Sequence, residues 1–397
     1  MDALARVSRH SGALIAVVAV ALAALGMNAG RRQARALPFQ AESAAQTQTF
    51  VTFRQGTSPT AHADAVVPAD AVVHAALMPN DTLFGQLLWP AKSANLPAAW
   101  DMTRGDPSIT IAVVDTGVSA VPDLAGALVP GYDFVNRDTD ASDDNGHGTI
   151  VASIAAARID NGIGIAGVCG RCSIMPIKVL DADGSGLSST TAKGIGWAAA
   201  HGARIINLSA SVLTEDPVLD AAIASVVAGG AVVVLAAGNG GSSDPGRGGE
   251  AAHAGYPAAT SPAAIRVAAV DANGALYPWS NHGAWVDVAA PGRVAIAEAD
   301  GGAYVYEEGT SVAAPIVAGI AGLLLSRFPD LSPYDVKSLI SSNGTAASGL
   351  DVASGRRVDA HASLILADYL RSAARRKTMT RRLPARASVT ATAARAR

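Results

Sequence analysis

Val232-Val233-Val234-Leu235-Ala236-Ala237-Gly238-Asn239 carries no polar side chain until its last residue. A strand with one wet face alternates apolar and polar residues. This one does not, so both its faces are expected to be covered, as in a parallel sheet held between helices. Strands are expected at 109–114, 174–180, 204–208, 231–236 and 265–269, and helices at 149–158, 188–201, 218–228, 312–327 and 333–341. The alternation predicts an α/β fold in three layers, a mostly parallel sheet with helices on both faces. Ligands of such sheets bind beyond the carboxyl ends of the strands. Half the residues are apolar and 5% aromatic, which suits a large packed core and argues against a disordered or fibrous chain.

Polar residues end several of these runs. Asp115 follows Ile111-Ala112-Val113-Val114, and Asn239 ends the stretch quoted above. His147 lies in Asn145-Gly146-His147-Gly148-Thr149, just before a helix. Ser311 lies in Gly309-Thr310-Ser311-Val312-Ala313-Ala314-Pro315, where a small-residue turn enters an apolar helix. Taken singly these are a turn aspartate, a loop histidine, an Asn-Gly turn and an N-cap serine. Gathered at one sheet edge they supply a nucleophile, a base, an orienting carboxylate and an amide donor, the set that acyl transfer to water requires. Two competing motifs fail. Asp115-Thr116-Gly117 occurs once, whereas aspartic peptidases need a pair of such loops. Gly162-Ile163-Gly164-Ile165-Ala166-Gly167 fits a dinucleotide fingerprint but follows a helix and precedes a strand, the reverse of what that site needs.

The words Val-Val-Asp-Thr-Gly, Asn-Gly-His-Gly-Thr, Ala-Ala-Gly-Asn-Gly and Gly-Thr-Ser-x-Ala-x-Pro, with the order Asp115, His147, Ser311, resemble the subtilisin-like serine peptidases, the subtilases. The likeness runs from about Pro79 to about Leu366. It implies that Ser311 attacks the scissile carbonyl, His147 relays the proton, Asp115 orients the histidine, and Asn239 with the Ser311 N–H holds the oxyanion. A polypeptide substrate is implied to lie extended along Leu208, Ser209, Ala210 and Ser211, with Ala237 and Gly238 also lining the site. Catalysis then needs no cofactor. A structural calcium ion is implied at Asp81, Asp123 and Asn161 with the carbonyls of Ile163 and Ile165, an oxygen-only set that suits Ca²⁺.

This sequence departs from the family's usual pattern at Ile150, Val312 and Ile316, which stand where histidine, methionine and histidine are usual, and at Ser211 in place of glycine. Gly240 stands where some relatives carry an acid. With no charge marking the first pocket, cleavage after small or apolar residues is expected. A selective envelope processing protease, or a pseudoprotease that only binds, is the alternative reading of the same fold.

Arg6 and Arg9 precede an apolar run over 13–27, and Ala34-Arg35-Ala36 offers a cleavage site, so 1–36 reads as a signal peptide or an N-terminal anchor. Residues 37–78 read as a short pro-segment or linker, 79–366 as the catalytic domain, and 367–397 as a basic, disordered tail. Nine of the 30 Lys+Arg fall in 371–397, which holds no acid, leaving 30 − 9 = 21 against 33 acidic residues elsewhere. The tail suits an anionic envelope surface; nucleic acid is not an expected partner, and a monomer is expected. A secreted or envelope location is oxidising, so Cys169 and Cys172 are expected to form a disulfide, ahead of a redox motif or half a metal site.

Overall fold

Every residue of the strand Val232–Ala236 is buried, as its unbroken apolar pattern requires. In the computed structural model, residues 78–85, 88–210, 216–243, 261–297 and 304–382 are described, within a compact unit spanning Pro68–Arg397. The leader, the pro-segment, Ser211 and residues beyond 382 lie outside them.

Helices α1 (Leu88–Ser93) and α2 (Leu96–Met102) lead into β1 (Thr110–Asp115) and β2 (Tyr132–Asp133). There follow α3 (His147–Ala156), β3 (Ser173–Lys178), α4 (Ser188–Ala200), β4 (Ile205–Leu208), α5 (Pro217–Ala228), β5 (Val232–Ala236) and β6 (Ile265–Val270). After β7 (Val288–Pro291), β8 (Arg293–Ala297) and β9 (Tyr304–Glu308) come α6 (Thr310–Arg327), α7 (Pro333–Ser342), β10 (Thr345–Ala346), β11 (Arg356–Arg357) and α8 (Ala360–Arg382).

Among the described residues nine strands form one sheet, in the order β10-β11-β7-β6-β5-β4-β1-β3-β2. Its pairs are parallel except β10 with β11. Successive side chains on a strand face opposite ways, and here both ways are apolar. Ile111, Val113, Ile205, Val232 and Val234 pack with Val151 of α3 and Val317 and Leu324 of α6. Their neighbours Ala112, Val114, Ile206, Val233 and Leu235 pack with Ile195 of α4 and Ile223 of α5. The result is helix, sheet and helix in three layers.

Helix α6 is the central element of the first core layer, with Val312 through Leu325 all buried. Among the described residues it alone is long and apolar enough to cross a membrane, and 83% of that window is buried inside the protein. A helix apolar on all sides is what a core position demands. Truncating one of its large side chains, Leu324→Ala, would cost about 2–5 kcal/mol.

The boundary expected at 366 falls inside α8. Ala360, Leu364 and Ala367, spaced at helical intervals, are buried against the core. Arg327 holds Asp368 at 2.8 Å, and Arg371 pairs with Asp330. The helix runs on to Arg382, with Ala367 the last residue shown buried against the core, so the part of the expected tail up to 382 is helical.

Candidate active site

β1, β4 and β5 run parallel, so their carboxyl ends share one edge. β1 lies between β3 and β4, the point at which the chain changes direction across the sheet. Asp115 ends β1 and is wholly buried. His147 opens α3, two residues earlier than the sequence indicated. Gly146, at φ 108°, supplies the left-handed turn that admits the chain to the helix at that point.

Asp115 Oδ1 lies 2.7 Å from His147 Nδ1 and also accepts the Thr116 N–H at 2.8 Å. The approach depends on a missing side chain, since a Cβ on Gly148 would sit 2.0 Å from the Gly117 carbonyl oxygen. Burial alone would lower the His147 pKa. The charge of Asp115, its hydrogen bond, and the charges of Glu307 and Asp143 outweigh that and raise it to about 9.

Asp143 is a member of this group that sequence reading passed over. Its Oδ1 accepts from Thr116 Oγ1 (2.8 Å), Asn145 N–H (3.0 Å) and Gly146 N–H (2.9 Å), and its Oδ2 from Thr149 N–H (2.9 Å) and Thr149 Oγ1 (2.6 Å). Burial pushes its carboxyl pKa up, and these donors more than reverse that, leaving it lowered. One carboxylate thus ties the residue after Asp115 to the first turn of the His147 helix. Lys178, buried below, donates from Nζ to the Thr116 carbonyl at 2.7 Å and meets Asp144 at 2.6 Å.

The turn that carries Ser311 is built from β5 and β9. Asn239 Oδ1 accepts from Thr310 N–H and from Thr310 Oγ1, each at 2.9 Å, and Thr310 Oγ1 accepts the Gly238 N–H at 2.9 Å. With the amide oxygen occupied, Nδ2 is the group left to face the site. A Cβ on Gly309 would meet Ser311 Oγ at 2.7 Å and both Asn239 Nδ2 and Ser311 N at 3.5 Å. Three polar groups therefore border one small volume at the Gly309 Cα. The Ser311 N–H, in the first turn of α6, has no acceptor one turn back.

The expected substrate edge divides. Ser209 and Ala210 offer backbone groups that take no partner among the described residues, while Leu208 is inside the sheet, paired with Leu235. Ser211 lies outside the described residues. Ala237 and Gly238 do not present a free edge. The Ala237 N–H donates to Val267 and its carbonyl accepts from Asn281 Nδ2; the Gly238 N–H donates to Thr310 Oγ1 and its carbonyl accepts from the Asn281 N–H. Their backbones brace Asn239.

Away from this edge, Asp81 and Asp123 are buried, with the exposed Asn161 beside them. Asp123 accepts from Asn161 Nδ2 and the Ile165 N–H, each at 2.8 Å, and Asp81 Oδ2 accepts the Asp160 N–H at 3.0 Å. Asp81 Oδ1 is buried with no protein partner. Burial raises both carboxyl pKa values, and for Asp123 the charge of Asp81 adds to it. The Ile163 and Ile165 carbonyls accept no hydrogen bond from the described residues. Among the described residues no group of three or more His, Cys, Asp or Glu gathers as a metal cluster. Cys169 and Cys172 are joined as a disulfide, both buried against Gly322 of α6.

A sequence model of the Subtilase family matches residues 106–358. The chain belongs to the subtilase family. Thermitase of Thermoactinomyces vulgaris is 40% identical over 272 residues, 68% of this chain and 93% of thermitase. A thermophilic serine proteinase of Bacillus sp. (strain AK1) is 39% identical over 255 residues, 64% of this chain; the chain spans 61% of that relative's length. Among solved structures, a protease from Pseudoalteromonas arctica PAMC 21717 superposes with a TM-score of 0.64 at 30% identity, covering 73% of this chain and 99% of its own. The three layers are thus the subtilisin-like arrangement, and the family places this chain among the serine endopeptidases, hydrolases that need no catalytic cofactor.

Proposed function

We propose that this subtilase is a secreted endopeptidase, acting as a monomer, that cleaves polypeptides through an acyl-enzyme on Ser311. The observation that carries the reading is the convergence of Ser311 Oγ, the Ser311 N–H and Asn239 Nδ2 around Gly309, with Asp115 and His147 already paired. Ser311 Oγ attacks the scissile carbonyl carbon and passes its proton to the outer nitrogen of His147. Asp115 keeps the inner nitrogen protonated and steadies the cation that forms. The carbonyl oxygen gains negative charge where the Ser311 N–H and the Asn239 amide can meet it. His147 then protonates the leaving amine, and water, activated the same way, frees the acid. Extended substrate pairs with the open backbone of Ser209 and Ala210.

Labelling of the mature protein with a fluorophosphonate, with Ser311→Ala as control, tests the assignment. Label that disappears with Ser311 supports it, and an unlabelled parent chain overturns it. With no acid at Gly240, the first pocket takes small or apolar residues; a peptide library cut chiefly after Lys or Arg would reject this preference.

A structural calcium ion fits the Asp81 and Asp123 pair, whose buried oxygens include one without a protein partner. Asp81, Asp123, Asn161 and the Ile163 and Ile165 carbonyls would hold it, and its charge would offset two carboxylates that burial disfavours. The leader-like run over 13–27 supports export. The excess of cations over 371–397 supports contact with an anionic envelope surface, checked by co-sedimentation of the full chain with phosphatidylglycerol vesicles against phosphatidylcholine ones.

A further inference from the structure

Pro315 lies inside α6, one turn after Ser311. At any other residue the N–H of position 315 would bind the carbonyl oxygen of position 311, but proline has no N–H. The Ser311 carbonyl therefore lacks its helical partner. Ser209 Oγ, just beyond the end of β4, donates to it at 2.9 Å. The same hydroxyl accepts from Asn207 Nδ2 at 2.9 Å, and Asn207 is fully buried. An amide NH₂ can only donate, so Asn207 occupies an acceptor site of the hydroxyl and leaves its single hydrogen to Ser311.

We propose that Asn207 and Ser209 are positioning residues for the nucleophile. They replace the helical bond that Pro315 removes and fix the peptide plane that follows Ser311. That plane helps set where Ser311 Oγ and the Ser311 N–H point. Neither residue touches the reacting atoms. The residue that borders the substrate through its main chain holds the nucleophile turn through its side chain, which joins binding edge to reaction centre by one hydroxyl. The proposal rests on the reading of Ser311 as nucleophile.

The test uses the full mature chain and four variants, Ser209→Ala, Ser209→Thr, Pro315→Ala and the double variant Ser209→Ala with Pro315→Ala. The readouts are the fluorophosphonate labelling rate at Ser311, kcat and KM on one peptide substrate, and Tm. Ser209→Ala is expected to lower both the labelling rate and kcat by about 3- to 10-fold, the size of one ordinary hydrogen bond, with KM unchanged. Ser209→Thr keeps the hydroxyl and is expected to label and turn over faster than Ser209→Ala. Alanine at 315 restores an N–H to the helix, so the double variant is expected to regain a large part of what Ser209→Ala loses.

A Ser209→Ala protein that labels at the parental rate overturns the proposal, as does a double variant no faster than Ser209→Ala. A fall in Tm with kcat unchanged marks a merely structural bond and also overturns it. Should Ser209→Ala fail to fold, Asn207→Ala leaves the hydroxyl in place but unsteered, and its labelling rate is read the same way. A parent chain without Ser311-dependent label removes the peptidase reading and this proposal with it. A labelled parent beside an unaffected Ser209→Ala removes only this one.

Discussion

Asp115 and His147 meet across the solvent boundary: their 2.7 Å contact joins a wholly buried carboxylate to an imidazole whose side chain is 30% exposed. The carboxylate cannot turn away to water, so it stays fixed beside the ring.

This pairing sets opposite pH trends for stability and rate. Below the ordinary imidazole pKa of 6.5, His147 is protonated in both folded and unfolded chains and its pairing contributes fully to stability. That contribution is lost as pH rises from there through about 9. A base must be unprotonated, so kcat/KM is expected to climb over the same interval. Asp115→Asn should move the rising limb towards lower pH and cut kcat by about 10³–10⁴-fold. A parental limb centred below pH 6.5 would refute the raised pKa.

Asn239→Ala should reduce kcat by ~10²–10³ with little change in KM, because its amide meets charge that develops only after attack. Thr310→Val keeps the amide but removes the hydroxyl that holds Asn239 Oδ1 and receives the Gly238 N–H. A smaller loss, about tenfold, is expected from the loosened aim. Steady-state kinetics on one substrate compares the two; equal losses would show that Thr310 supports the turn as a whole rather than the amide's direction.

Gly309 has an extended backbone, φ 163°, so alanine there meets no conformational penalty. Its Cβ would nonetheless stand 2.7 Å from Ser311 Oγ. Gly309→Ala should therefore retain the parental Tm within a few degrees while losing nearly all hydrolysis. A variant that melts early would point instead to backbone demands at this position.

Val312 follows Ser311, the proposed nucleophile, and is buried, a place where the family usually has methionine. A thioether there oxidises to a bulky polar sulfoxide, and valine cannot. Graded peroxide should leave the parent active under conditions that inactivate Val312→Met. Equal inactivation would place the sensitive group elsewhere.

Calcium chelation should lower Tm, and Asp123→Asn should lower it in calcium buffer while abolishing the response to chelator. A parent whose melting ignores both calcium and chelator would argue against an ion at Asp81 and Asp123.

The central strands were legible because burial on both faces writes an unbroken apolar run, as in β5. The hairpin of β8 and β9 and the short β7 were not, since four or five residues hold too few turns of any pattern to separate strand from loop. Asp115, His147, Ser311 and Asn239, the residues proposed for catalysis, are marked in the sequence by glycine-flanked words. Asp143 escaped because an aspartate in an acidic loop looks solvated until the fold aims five donors at it. Ser209 is legible as part of the substrate edge, but its side-chain contact is not: the hydroxyl answers a carbonyl 102 residues away, a deficit that exists only because Pro315 and β4 meet in space. The extent of α8 is hidden in the sequence because basic residues dominate it after 371 and few apolar residues, Ala360, Leu364 and Ala367, mark its buried side.

Helix α6 fills the main core and also carries Ser311 at its first turn, late in the chain. During synthesis Asp115 and His147 leave the ribosome long before Ser311, and the pocket around Gly309 forms only when α6 docks on β4 and β5. On the proposed mechanism, an unfinished or unfolded chain therefore has no assembled site.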